Sequence, residues 1–202
     1  MPARSTASAT ITPVPKREAI LRAALLVFAE HGVHSVPVPE IAARAGVGTG
    51  TIYRFFVSKE ALINELYREQ KRAFRERVLE NFDRKAEPRT LFREYWKRLV
   101  AFAREQPEAF RFLELQDHLP HLDAESRALE YRVLGPVADA SRRLQKQGIY
   151  RKDLRVEVIM ALHWGAFVNL FKAERGGYLK LKPADIEAAC DACWRMCAVE
   201  SK

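Results

Sequence analysis

Residues 36–60 read VPVPEIAARAGVGTGTIYRFFVSKE, and the reading of the whole chain turns on them. A short helical pattern over residues 39–45 breaks at Gly46-Val47-Gly48, and a second, over 49–56, follows at once. Pro37 and Pro39 remove backbone donors and restrict the residues before them, so residues 36–39 cannot lie inside a helix. Pro39 fits a first helical position. Ile41, Ala42 and Ala45 would then face Val47 and Ile52 and make a small core. Two short helices joined by a glycine-containing turn form a helix-turn-helix, whose second helix can enter a DNA major groove.

The second helix carries suitable chemistry. Thr49-Gly50-Thr51 keeps its N-terminal turn short or polar, which lets the backbone approach the bases. The amides of that turn and the helix dipole favour phosphate. Arg54 can reach guanine or a phosphate, and Tyr53 can donate to a phosphate. Lys59 opens the following helix, where an ammonium group can hold the DNA backbone. The glycines of Gly46-Val47-Gly48-Thr49-Gly50 do not make a nucleotide loop, because the G-x-G-x-x-G spacing, a preceding strand and a Gly-Lys-Ser/Thr run are all missing.

Outward from the motif, residues 16–31 form a helix with Ile20, Ala24 and Phe28 on one face and Leu21 and Leu25 beside them. Gly32 stops it. Ahead of it, residues 1–15 are rich in Ala, Ser, Thr and Pro with one charge, Arg4, and read as a disordered tail that ends at Lys16-Arg17. Such a tail is a plain floppy terminus or an arm lying along DNA.

These residues resemble the TetR family of bacterial transcriptional regulators. The resemblance rests on Ile20 through Phe28-Ala29-Glu30-His31-Gly32, on Ile41-Ala42, Ala45-Gly46-Val47, Gly50-Thr51-Ile52-Tyr53 and Phe56, and on Ser58-Lys59-Glu60-Ala61-Leu62. It covers roughly the first third of the chain. It implies a homodimer with an N-terminal DNA-binding domain and a C-terminal helical domain that binds a small effector and dimerises through its last two helices. It implies DNA contacts by Thr49, Gly50, Thr51, Tyr53, Arg54, Phe55 and Lys59. Two departures stand out. Val36-Pro37-Val38-Pro39 replaces the Ser or Thr common there, and Phe55 replaces a frequent Tyr or His. The first contacts are lost or made by backbone amides, the second removes a possible phosphate contact, and the expected affinity shifts onto Arg54, Tyr53, Lys59 and the basic arm.

Beyond residue 65 only the architecture is legible. Ser58 caps a long helix with a partial stripe of Leu62, Leu66, Ala73 and Phe74, charged thereafter to about Lys85. Pro88 restarts a pattern with Leu91, Tyr95, Leu99 and Phe102 to the inside, and Pro107 opens a short helix with Phe110, Leu113 and Leu115. Asp123 caps a helix to about Gln147, with a kink expected at Gly135-Pro136. Residues 154–175 form a strongly apolar helix, and Pro183 starts the last. The expected fold is all-α, about nine helices: an arm over residues 1–14, a helix-turn-helix domain over 15–62, and a helical ligand-binding and dimerisation bundle over 63–202.

Bundle cores commonly hold ligands. Candidate effector residues are Tyr95, Trp96, Phe110, Glu114, His118, Tyr131, His163, Trp164 and Phe167, with Phe102, Phe112, Gln116, Asp117, His121 and Asn169 nearby in sequence. Buried polar groups among aromatics either have a protein partner or await a ligand, and the expected effector is apolar or aromatic. The spacing of Glu114, His118 and His121 matches no standard zinc motif, so no metal or cofactor is expected. Cys190, Cys193 and Cys197 share one helical face and read as packing at a dimer interface; a redox switch is the other reading. The excess of apolar residues over 156–171, among them Val158, Leu162, Ala166 and Leu170, points the same way.

The 202 residues carry a net charge of +8, which suits a polyanion partner. No uncharged apolar run reaches about 18 residues, so no membrane span is expected. A cytoplasmic site follows, and three cysteines do not make a secreted disulfide framework. No nucleophile and base converge, so no enzyme is expected. The expectation is a sequence-specific regulator, a repressor released from a palindromic operator of double-stranded DNA by a small molecule. A constitutive DNA-binding protein without an effector is the remaining alternative.

Overall fold

Nine α-helices and no β-strand make up residues 15–83, 85–114 and 119–199, the part described by a computed structural model of the protein. The expected arm at residues 1–14, and Leu115, Gln116, Asp117 and His118, lie outside the described residues. The helices divide as expected into an N-terminal helix-turn-helix head and a C-terminal helical body.

In the head, α1 (Lys16–His31) buries Ile20, Leu21, Ala24, Val27 and Phe28 along one stripe. Burying a side chain the size of Phe28 contributes on the order of 2–3 kcal/mol. Gly32 ends the helix at φ +80°, donating its N–H to the Phe28 carbonyl at 2.9 Å. α2 (Val38–Ala45) carries Pro39 in its first turn and ends on Gly46 at φ +67°, a left-handed position that favours glycine. The Val47 amide then reaches back to the Ala42 carbonyl at 3.0 Å, which closes the turn. α3 (Thr49–Phe55) follows, and only Ile52 of it is buried, against Ile41 and Ala42 as the spacing predicts.

α4 (Lys59–Phe74) starts on a Ser58 cap, whose hydroxyl accepts from the Ala61 amide at 3.1 Å. It runs without a break from head to body and is more buried than its charges suggest: Leu62, Ile63, Asn64, Leu66, Tyr67, Lys71 and Phe74 all face inward. It is also shorter than expected. Regular helix stops at Phe74 and passes into a π-turn (Arg75–Leu79), which puts Val78 in the core against the next helix. The Arg98 guanidinium pins the reversal from below. It donates to the carbonyls of Glu80 and Asn81 and lies 4.1 Å from the centre of the Phe82 ring.

In the body, α5 (Pro88–Glu105) buries Phe92, Trp96, Leu99, Phe102 and Ala103. Leu99 and Phe102 face inward as expected, but Phe92 and Trp96 continue the stripe in place of Leu91 and Tyr95, which are half-buried at its margin. α6 (Pro107–Glu114) packs on α1, with Phe112 stacked near-parallel on Phe28 at 6.2 Å. A short turn (Leu119–His121) leads to α7 (Ala124–Lys146), which Asp123 caps and which continues through Pro136 as one helix. α8 (Val156–Arg175) and α9 (Pro183–Cys197) complete the bundle. Two backbone hydrogen bonds, Arg151 to Cys197 and Val199 to Ile149, both 2.9 Å, staple the end of α9 to the turn after α7.

By length and composition α8 is apolar enough to cross a membrane, with a mean hydropathy of 1.2 over 18 residues. It packs on α7 and α9, and Glu157, Lys172, Glu174 and Arg175 mark its ends. Only Val156, Ile159, Phe167 and Phe171 are buried, and Ala161 and Leu162 face outward. On α9 the thiols do not form the outer face expected of them. Cys190, Cys193 and Cys197 point into the protomer, where Cys197 Sγ meets His163 Nε2 at 3.0 Å, and the outward small residues are Ala184, Ala188 and Ala192.

Candidate DNA interface and buried polar site

α3 is held from behind by Ile52 and offers its other side to solvent. Gly50, Tyr53, Arg54 and Phe55 are exposed there, Thr49 and Thr51 half-exposed. A Cβ built on Gly50 meets nothing within 4 Å, so the backbone at that turn is open to a close approach. Tyr53 is 51% and Phe55 46% exposed, a large apolar and aromatic display for a monomer surface beside a basic group. Arg54 has no ion-pair partner among the described residues.

Lys59 differs from its neighbours. It is half-buried, and its Nζ lies 3.4 Å from the His34 carbonyl, so it ties the loop between α1 and α2 to α4. The structure explains the Val-Pro-Val-Pro departure: Val36 and Val38 are core residues, 1% and 7% exposed, and fill space that a capping hydroxyl would leave polar. Arg17, expected to belong to a basic arm, turns back onto the protein. It pairs with Glu65 at 2.6 Å and lies over the Phe56 ring. Arg44, exposed on α2, is a basic residue that the sequence reading did not single out.

The joint between head and body is polar and closely paired. Asn64, 3% exposed on α4, donates to the carbonyls of Glu60 (2.9 Å) and His121 (2.7 Å) and accepts from the Asp123 amide (2.8 Å). Arg68 reaches Asp123 at 3.0 Å and Glu65 at 2.9 Å. His121 Nε2 faces His34 Nδ1 across the joint at 3.3 Å.

Within the body the structure gathers a charged cluster that sequence reasoning found only in part. Glu114, at the end of α6, accepts from Trp164 Nε1 at 2.9 Å through Oε2. Its Oε1 lies 3.6 Å from Lys71 Nζ, an ion-pair distance, and has no hydrogen-bond partner among the described residues. Lys71 pairs more closely with Glu130 on α7, at 2.9 Å, and Tyr67 donates its hydroxyl to the same carboxylate. The Lys71 ammonium also lies 5.5 Å from the Phe74 ring centre and 5.7 Å from that of Tyr67. Burial pushes the Glu114 carboxyl up to about 7, against the pull of Lys71 and the Trp164 hydrogen bond. Burial and the Glu130 carboxylate raise the Tyr67 hydroxyl; burial and Glu114 do the same for Tyr95.

The other expected effector residues divide. Trp96, Phe110, Trp164 and Phe167 share one aromatic cluster, with Phe167 5.5 Å from Trp96, 5.9 Å from Phe110 and 5.8 Å from Trp164. Trp96 Nε1 is a buried donor without a partner among the described residues. His163 lies at the edge of this cluster, 4.9 Å from Phe92 and against Cys197 Sγ and the Cys193 carbonyl, and burial lowers its basicity. Asn169 bonds within its own helix, to the Gly165 carbonyl, and Tyr131 is 79% exposed on the outer face of α7. His118 lies outside the described residues. Tyr67, Lys71 and Glu130 were missed; their signal was the inward spacing of Ile63, Tyr67, Lys71 and Phe74 on α4. Among the described residues no group of three or more His, Cys, Asp or Glu side chains is placed to hold a metal ion.

Comparison with known proteins follows the same division. Residues 20–66 match the family described as bacterial regulatory proteins, tetR family, and residues 67–200 match the tetracyclin repressor-like C-terminal domain. The chain is 43% identical over 72 residues to the fatty acid metabolism regulator protein of Bacillus subtilis. It is 35% identical over 57 residues to the HTH-type transcriptional repressor KstR2 of Mycolicibacterium smegmatis. These matches span 36% and 28% of this chain, and 37% and 28% of the relatives' lengths. In fold, a crystal structure of a TetR family transcription regulator from Marinobacter aquaeolei superimposes with a TM-score of 0.80 at 24% identity, over 92% of this chain and 96% of the other.

Proposed function

The chain belongs to the TetR family of bacterial transcriptional regulators, and from that premise we propose that it is a homodimeric repressor released from its operator by a small molecule. The head over residues 15–62 binds DNA, preceded by an arm over 1–14. The bundle over 63–202 dimerises and takes the effector, and the dimer works in the cytoplasm. Thr49, Gly50, Thr51, Tyr53, Arg54, Phe55 and Lys59 carry the DNA contacts, with Arg54 reading a base and Lys59 bound to the backbone. The observation that carries this reading is the outer side of α3, where an accessible glycine turn, a tyrosine and an uncommitted arginine stand together on a helix fixed by Ile52.

Two such helices in a symmetric dimer meet successive major grooves about 34 Å apart, which requires a near-palindromic site. The outward residues Ala161 and Leu162 of α8 and Ala184, Ala188 and Ala192 of α9 support pairing through the last two helices. The repressor sign is consistent with the name of the Mycolicibacterium relative. The name of the Bacillus relative refers to fatty acid metabolism, but a carboxylate effector would meet Glu114 and Glu130, so that chemistry is not carried over.

Selection of bound duplexes from a random library tests the proposal. An inverted repeat with half-sites one helical turn apart is expected, bound with a steep dependence on salt. Recovery of no sequence preference would overturn it.

A further inference from the structure

We propose that the effector is an organic cation, an apolar or aromatic molecule carrying one ammonium group that docks on Glu114 and competes there with Lys71. The inference rests on the reading of the body as an effector domain and names the chemistry of its ligand.

The argument begins with charge. Two carboxylates, Glu114 and the partly buried Glu130, share one ammonium, Lys71, so the cluster is one cation short of neutrality whenever Glu114 is ionised. Lys71 sits nearer Glu130, at 2.9 Å against 3.6 Å, which leaves Glu114 Oε1 as a buried acceptor without a hydrogen-bond donor among the described residues. A buried carboxylate in that position is costly unless it takes a proton or a second cation. The walls suit a cation as well. Phe74 and Trp164 meet edge-on at 6.0 Å beside Glu114, and the rings of Phe74 and Tyr67 already flank the Lys71 ammonium. An anionic ligand meets two carboxylates; a neutral one leaves the missing charge unsupplied.

The cluster also connects to the head. Lys71 and Tyr67 lie on α4, which begins at Lys59, a short turn (Phe56, Val57, Ser58) after the end of α3 at Phe55. A ligand ammonium that takes the Lys71 side of Glu114 loosens one of the ties between α4 and α6. The groups facing Glu114 are Lys71 and Tyr67 from α4, Tyr95 from α5, Glu130 from α7 and Trp164 from α8. Binding of a cation therefore displaces the proton that Glu114 holds at and below about pH 7.

Calorimetric titration of the full-length protein with three naphthalene probes, ending in ethylammonium, ethanol or propanoate, tests this. The ammonium probe is expected to bind at pH 8 at least tenfold more tightly than the others, and roughly tenfold more weakly at pH 6, as Glu114 protonates. Glu114→Gln should lower its affinity about tenfold and flatten the pH dependence while leaving the alcohol unchanged, and Lys71→Gln should tighten it. Equal or tighter binding of the propanoate or the alcohol, no binding of the ammonium probe, or indifference to Glu114→Gln would overturn the inference. Operator binding is measured separately. If the propanoate releases the protein from DNA, the regulator reading stands and the cation falls; if ligand-free protein binds no operator, the regulator reading falls whatever the probes do.

Discussion

Replacing Glu114 by glutamine should stabilise the protein, and do so more at high pH than at low. In the fold this carboxyl titrates near 7, against an ordinary value of 4.5 in the unfolded chain. A group raised in this way contributes stability that is fully present below the unfolded value and is lost as the pH climbs through the folded one. The gap corresponds to about 3 kcal/mol, held back at pH 8 and almost absent at pH 4.5. Glutamine preserves the acceptor that Trp164 Nε1 uses at 2.9 Å, and Lys71 retains Glu130 at 2.9 Å. Little besides the buried charge is therefore removed. Urea unfolding followed by helicity, at one fixed protomer concentration, should show the variant's advantage growing by about 2–3 kcal/mol between pH 5 and pH 8. An advantage that does not change with pH would refute the reasoning, since it would mean that Glu114 is ionised in the fold as readily as in water.

The joint between head and body offers a second test: Asn64→Ala strands the His121 carbonyl and the Asp123 amide, and should cost about 2–4 kcal/mol in the same unfolding assay. On the DNA side, Arg54→Ala should broaden the selected sequence at one position of each half-site. Lys59→Ala should weaken binding to all sequences alike, as gel-shift titrations on matched and scrambled duplexes would show; unchanged selectivity in the Arg54 variant would remove its base-reading role. Ala188→Glu, on the outward side of α9, should leave the helical content intact and shift the protein from dimer to monomer in sedimentation equilibrium at micromolar concentration.

Much of the architecture was written locally. Pro39, Ser58, Pro88, Pro107, Asp123 and Pro183 each mark a helix start, because a missing amide or a capping oxygen acts within one turn and needs no distant partner. The helix-turn-helix was legible for the same reason, its left-handed glycine and its small core lying within a few residues of each other. The inner face of α5 was not. Apolar residues occupy 91, 92, 95, 96, 99 and 102, and two overlapping stripes fit them; packing on α8 and α9 decides for Phe92 and Trp96. Lys71 and Tyr67 looked like solvent-facing members of a charged helix. Their spacing with Ile63 and Phe74 marks an inward face, but the carboxylates that hold them there, Glu114 and Glu130, lie on other helices and leave no trace along α4. The cysteine stripe was readable as a face, but not its direction, since three small side chains suit a core and an interface equally.

That the thiols turned inward has a practical side. Burial pushes Cys190 up to about 12 and Cys197 up to about 11, and it raises Cys193 as well. At neutral pH fewer than roughly one in ten thousand of the Cys190 or Cys197 groups is the reactive thiolate. With all three side chains buried as well, the native protein is expected to react slowly with maleimide reagents. A single cysteine placed at Val57, 89% exposed just beyond α3, would take up a spin label or a dye alone, one on each protomer. Pulsed dipolar spectroscopy between the two labels would then read the separation of the DNA-binding heads directly, with and without a cationic ligand, in a protein whose own sulfur chemistry has not been touched.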